Sequence, residues 1–158
     1  MKIKRVLSVL IALACLLPLQ SLTARAAKGK PLKRKLVKVY FYHDPGEYID
    51  LAPVERNVSA VSPARAAIEA LLEGPTPAEE RRGFSSLASA NEFAIGSLKI
   101  VGGTARVNFV ASRTWMGWPG DLAPARFRKA VELTLKQFPN VRSVIVSLNG
   151  NPKFDDER

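Results

Sequence analysis

Residues 62–75 read SPARAAIEALLEGP, and this stretch decides the fold. Ala64, Ala67, Ile68, Leu71 and Leu72 recur at i, i+3, i+4, i+7 and i+8, which lays one apolar stripe along a helix. Ser62 stands at the N-cap position. Pro63 suits the first helical position, where its fixed φ is preorganised and its missing N–H is not needed. Gly74 can take the left-handed conformation that ends a helix, and Pro75 prevents continuation. A helix with one apolar face needs a sheet to bury it.

The flanking sequence supplies that sheet. Thr76 and Glu79 form a capping box that starts a short helix, closed by Gly83. Residues 93–101 and 104–110 read as two strands joined by Gly102-Gly103, a pair suited to a type I′ hairpin because both positions need positive φ. In the second strand Ala105, Val107 and Phe109 alternate with Arg106, Asn108 and Val110, so one face is buried and the other is wet. Upstream, 36–42 is a strand rich in valine and aromatics, and 52–59 is a second one entered through Pro53. Downstream, Ala123, Phe127, Ala130, Val131, Thr134, Leu135 and Phe138 share one face of a long helix over 124–138. Arg126, Arg128, Lys129, Glu132 and Lys136 fall outside it and are expected to face water. Pro139-Asn140 breaks this helix, and 141–148 is the last strand, turned by Asn149-Gly150 so that Phe154 can pack back. The pattern predicts an α+β two-layer sandwich, with two main helices packed on one face of a four- or five-stranded mixed sheet.

The N-terminus reads as a secretory signal. Lys2, Lys4 and Arg5 precede an uncharged run over 6–19, and Ala24-Arg25-Ala26 is a small-x-small cleavage site. The run is short for ~30 Å of hydrocarbon and contains Pro18, so a transmembrane anchor fits less well. Cys15, the only cysteine, faintly resembles a lipoprotein site, but the apolar run continues past it and Ala12 replaces the usual leucine. Cleavage near Ala26 would leave a mature chain with no cysteine, and hence no disulfide or thiol chemistry.

The net charge of +10 belongs to the ends. Removing residues 1–26 leaves 20 basic against 14 acidic side chains, and from Val39 onward the two balance at 14 each. Lys28, Lys30, Lys33, Arg34, Lys35 and Lys38 make the surplus. The expected organisation is a signal peptide over 1–26, a basic flexible linker over 27–35, one domain over 36–154 and an acidic tail over 155–158. The linker has too little apolar surface to order itself. It reads as solvated, or as an electrostatic tail worth about 1 kcal/mol per basic residue near an anionic membrane. Nucleic acid is disfavoured because nothing in the neutral domain extends the basic patch.

Catalysis finds little support. His43 is the only histidine, beside Asp44 and near Glu47 and Asp50, but their spacing fits no EF-hand and Pro45-Gly46 already accounts for a turn. No Gly-x-Ser-x-Gly or phosphate-loop motif is present. Glu69, Glu73, Glu79 and Glu80 could supply the two acids of a glycosidase, but they read as a solvated charged face. The expectation is no catalytic residue, no cofactor and no metal. Trp115, Met116 and Trp118, in a Gly/Pro-rich loop over 112–121, are the candidate partner-binding residues. The alternative is that a tryptophan folds back over the core.

Four stretches together resemble the GerMN domain family: Val39-Tyr40-Phe41; Ser62-Pro63-Ala64 through Leu72-Glu73-Gly74-Pro75; the hairpin over 97–109; and Leu133-Thr134-Leu135-Lys136-Gln137-Phe138-Pro139 through Val144 and Asn149-Gly150. Asn108 stands where the family commonly has aspartate, and Ala88-Ser89-Ala90 where it has Pro-x-Gly. The resemblance implies a helix-on-sheet fold and an exported, non-catalytic envelope protein. It would act as an interaction or assembly module, linked to sporulation or germination. The partners so implied are envelope proteins or a cell-wall polymer, with self-association among the options. Membrane contact would come from the basic tail or from lipid on Cys15. A polysaccharide-binding module using the basic tail and the Trp115/Trp118 loop is the alternative function.

Overall fold

Strand β1, Arg34–His43, organises the core. Its alternate residues Val37, Val39 and Phe41 are almost fully buried. The computed structural model describes residues 33–44 and 50–156, which lie in one unit of the chain, Pro31–Arg158. The signal segment, Cys15, Lys28 and Lys30 fall outside the described residues. Strand β2, Asp50–Ser59, runs antiparallel beside β1. Both strands are longer than expected. Arg34 and Lys35, assigned above to the linker, pair with Ser59 and Val58, and Lys35 Nζ lies 5.3 Å above the Phe138 ring.

The remaining elements are α1 (Pro63–Glu73), α2 (Pro77–Glu80), β3 (Phe84–Ser85), β4 (Phe93–Val101), β5 (Thr104–Ala111), α3 (Ala123–Lys136) and β6 (Ser143–Leu148). The α1 stripe is buried as its spacing predicts, with Ala67 and Ile68 fully inaccessible. The Ser62 hydroxyl makes no capping bond, although its carbonyl accepts from Ala66 N–H at 3.0 Å. Both halves of the Thr76–Glu79 capping box form. Gly102 and Gly103 have φ of 58° and 82°, as a type I′ turn requires. The bulge in β4 falls between Ile95 and Ser97.

The fold is α+β, as expected, but its strands divide differently. Among the described residues six strands form two three-stranded sheets, ordered β2-β1-β3 and β4-β5-β6, in place of one sheet of four or five. In the second sheet β4 and β5 are antiparallel, and β6 is parallel to β5 across the α3 crossover. Helix α1 lies on β1 and β2 and reaches β4, while α3 lies against β1, β6 and α1. The helices thus join both sheets in one apolar core.

The reason for the division sits on the free edge of β1. Its partner β3 is only two residues long and pairs with Tyr42 and His43. Further along, α3 side chains replace a strand. Gln137 Oε1 accepts from Lys38 N–H at 2.8 Å, and Gln137 Nε2 donates to the Lys38 carbonyl at 2.6 Å. Thr134 Oγ1, fully buried, accepts from Tyr40 N–H at 3.3 Å. An unpaired strand edge is a pairing hazard, and here a helix covers it with an amide and a hydroxyl. Gln137→Ala should destabilise the fold by about 1 kcal/mol or more, since it removes three bonds to backbone groups, the third donated to the Thr134 carbonyl at 2.6 Å. Hydrogen exchange at Lys38 should accelerate, and Gln137→Glu, which retains only an acceptor, should restore part of the protection.

Candidate functional site

The segment between β5 and α3 carries both tryptophans. Its start is tied to the neighbouring strand by Ser112 N–H donating to the Glu92 carbonyl at 2.7 Å. Trp115 N–H then donates to the Ser112 carbonyl at 3.2 Å, and Gly120 N–H to the Trp118 carbonyl at 2.9 Å. Gly117 and Gly120 have φ of 104° and 113°, a backbone that side chains rarely adopt. These turns direct Trp115 and Trp118 back onto the domain, where both are half-buried.

An aromatic cluster results. Trp118 stacks on Phe93, with centroids 5.3 Å apart and planes 20° apart, and on Phe154 at 6.1 Å and 25°. Trp115 meets Phe93 and Trp118 only edge to face, at 5.3 and 5.4 Å. Both readings of the loop hold in part: the indoles pack on the core, and Met116 between them is fully exposed. In front of the indoles lies an open groove of about 1020 Å³, lined by Trp115, Trp118, Asp121, Asn149, Asn151 and Phe154 among others. A smaller hollow of about 320 Å³, walled by Ser86, Ser89, Glu92 and Pro119, lies on another side of Trp115.

Arg128 fixes the far wall of the groove. The expectation that it faces water is overturned, because the α3 turn carrying it runs beside the returning C-terminal segment. Its guanidinium donates to the Val146 carbonyl at 3.1 Å and the Pro152 carbonyl at 2.6 Å. It pairs with Asp155 through Nε and Nη2 and lies 4.7 Å above the Phe154 ring. These guanidinium bonds hold the Asp155 carboxyl below its ordinary pKa, against burial. The sequence carried a faint signal of this: Arg128 directly follows the buried Phe127, and acids cluster at 155–157. The turn before the segment is set by asparagines. Asn149 Oδ1 accepts from Ala111 N–H at 3.0 Å, and Asn108 Oδ1 accepts from Gly150 N–H at 2.8 Å. An aspartate at 108 could accept the same bond, so asparagine here preserves the turn.

The other candidate groups are dispersed. His43 ends β1 instead of lying in a turn. Its Nε2 lies 3.0 Å from the Arg82 carbonyl and its ring stacks on Phe84 at 4.4 Å. Pro45, Gly46 and Glu47 lie outside the described residues. No group of three or more metal-ligating side chains converges among the described residues. Glu69 and Glu73 are exposed on α1, as expected of a solvated face. Glu79 is not: it is buried and pairs with Arg56 at 2.6 Å, because the capping box turns its carboxylate inward toward β2. Of the basic tail, Arg34, Lys35 and Lys38 stand on β1 and Lys33 just before it, so the cations nearest the domain are held on a strand.

Two helices and two three-stranded sheets sharing one apolar core, with an aromatic groove beside the Trp115–Trp118 loop, define an α+β module. The family model for Germane, described as sporulation and spore germination, matches residues 38–154. The chain belongs to that family. Its fold is similar to that of the tandem GerMN domains of the sporulation protein GerM from Bacillus subtilis, with a TM-score of 0.59 at 21% identity. That likeness covers 80% of this chain and 43% of the other, so this chain spans less than half of the tandem structure. The first GerMN domain of the same protein gives a TM-score of 0.54 at 21% identity, covering 74% of this chain and 84% of that one. At that identity the likeness carries the fold alone. No curated protein matches the chain significantly.

Proposed function

We propose that this is an exported, non-catalytic envelope protein whose GerMN-like domain serves as an interaction and assembly module linked to sporulation or germination. The observation that carries this reading, beyond family membership, is the outer face of the second sheet. Among the described residues no helix covers it: α1 and α3 both lie on the side of the buried Ala105, Val107 and Phe109. Val101 and Val110 are 72% and 44% exposed there. Lys99 and Arg106 sit directly opposite each other on paired strands. Like charges so placed repel, and an acidic partner surface would relieve them. None of β4, β5 and β6 contains an acidic residue. The same chain exposes Glu69, Glu73 and Glu80 on α1 and α2, so one copy can present its acids to the sheet of the next in a head-to-tail contact. Lys28, Lys30, Lys33, Arg34, Lys35 and Lys38 would hold the module near anionic envelope surfaces.

Sedimentation equilibrium on residues 27–158, which contain every described element and the whole core, tests the assembly. Reversible association is expected, retained at high salt through Val101 and Val110, and weakened at least tenfold by Arg106→Glu. A monomer at every concentration would sink self-assembly.

A further inference from the structure

The geometry points to the Trp115 groove as a binding site for a neutral oligosaccharide. The two indoles are not equivalent. Trp118 has Phe93 and Phe154 stacked near-parallel to it, so its ring is committed to the core. Trp115 has only edge-to-face contacts, at 62° and 81°, and no ring stacks parallel on it among the described residues. It also borders both concavities, the groove of about 1020 Å³ and the hollow of about 320 Å³. A pyranose presents a face of C–H groups that packs on an aromatic ring and a rim of hydroxyls that needs planar polar partners. Trp115 supplies the first requirement. Asn149 and Asp121 on one side, and Ser89 and Glu92 on the other, supply the second. A sugar stacked on Trp115 therefore borders polar groups of both concavities. The larger groove lies at the upper end of the roughly 300–1,000 Å³ usual for small-molecule sites, so it takes more than one ring.

Charge selects the ligand class. Among the described residues neither concavity is lined by a lysine or arginine, so no described side chain there recruits a phosphate or carboxylate polymer. The acids are few and mostly occupied: Asp155 is paired with Arg128, and Glu92 accepts from Ser89 Oγ at 2.9 Å. A polycationic peptide would find Asp121 as its main counter-charge. A neutral polyol satisfies the asparagine, serine and carboxylate groups without needing an ion pair.

Intrinsic fluorescence is the direct test, because Trp115 and Trp118 are the only tryptophans in the chain. Residues 27–158 are titrated with chito-oligosaccharides and cello-oligosaccharides from dimer to hexamer, and with a peptide of residues 27–35 as the cationic competitor. A saturable emission change with at least one sugar series is expected, tightening from dimer to tetramer as both concavities fill. Trp115→Ala should weaken binding at least tenfold in calorimetry while the thermal transition stays cooperative. Asn149→Asp, which keeps the acceptor for Ala111 and removes the amide donor, should weaken it severalfold. Met116→Ala should leave sugar binding unchanged, since Met116 lines neither concavity; a loss there would place the sugar on the loop tip and overturn the assignment. No response to either series, or tighter binding of the peptide, would also overturn it. Sedimentation reads a different surface, so each result stands without the other.

Discussion

Glu79→Gln should cost the fold about 3 kcal/mol, because it strips a counter-ion from a nearly buried guanidinium. Arg56 Nη1 meets Glu79 Oε1 at 2.7 Å and Arg56 Nη2 meets Oε2 at 2.6 Å, a bidentate pair. Side-chain exposures are 18% and 10%, so water can replace little of what is lost. The carboxylate also accepts from Thr76 N–H at 2.8 Å, which couples the start of α2 to β2. The Arg56 guanidinium in turn lies 5.6 Å above the Phe41 ring, in the middle of the β1 core face. Glutamine keeps the shape and one acceptor but leaves the cation uncompensated. Arg56→Met alone should cost a similar amount by stranding the carboxylate. The double variant should recover part of the loss, since an apolar pair no longer carries a buried charge. Urea unfolding of the four proteins measures the coupling, and strict additivity would show that the pair is not a unit.

The same pair sets a pH dependence. The Arg56 hydrogen bonds are the largest cause holding the Glu79 carboxyl down from 4.5 to about 2, with burial opposing them. A group with a depressed folded pKa binds fewer protons when folded. Its stabilisation is therefore complete above 4.5 and lost as pH falls toward 2. The gap corresponds to roughly 3 kcal/mol. Asp155 is shifted in the same direction by its bonds to Arg128, so its contribution is likewise lost on acidification. Wild-type stability should fall steeply across that window, while Glu79→Gln keeps only the shallower slope owed to Asp155 and weaker groups. An unchanged slope in the variant would place the acid sensitivity elsewhere.

These effects also mark where the sequence was legible. Periodicity carried the elements whose burial follows from one repeating side: the α1 stripe, the α3 stripe, and Ala105, Val107 and Phe109 on β5. Local chemistry carried the turns, since Gly102-Gly103 and the Thr76–Glu79 box are decided within four residues. The groups that escaped are those whose partner is distant in the chain. Arg128 meets Asp155 27 positions away, Arg56 meets Glu79 across 23, and Gln137 meets Lys38 across 99. No periodicity links such pairs, and a charged or amide side chain has a solvated alternative that fits the local pattern equally well. β3 was missed because two residues carry no alternation. The division into two sheets was missed because it depends on Gln137 and Thr134 standing in for a strand. At the candidate site the residue types were visible in the loop, but the stacking that commits Trp118 and leaves Trp115 unstacked arises only from Phe93 and Phe154, which come from two other segments.

Gly83→Ala should be at least as damaging, at about 3 kcal/mol or more, and its cause is purely steric. Gly83 has φ of +87°, and a Cβ built there would lie 2.4 Å from the Asp44 carbonyl oxygen. The obstacle is backbone, so no rotamer change relieves it. The same two residues are joined by Asp44 N–H donating to the Gly83 carbonyl at 3.0 Å, just beyond the His43–Phe84 pairing. Pushing them apart peels β3 from β1 and breaks the stack of His43 on Phe84, so the His43 ring resonances should move with the loss of stability. Gly102→Ala is the control. Its φ of +58° is also left-handed, but a Cβ there would meet nothing within 4 Å. The conformational cost alone, about 1–2 kcal/mol, should remain. If urea midpoints fall equally at both positions, backbone conformation explains the whole effect and the contact with Asp44 is relaxed in solution. A loss at 83 well beyond that at 102 identifies the close approach of the two backbones as the constraint that reserves this position for glycine.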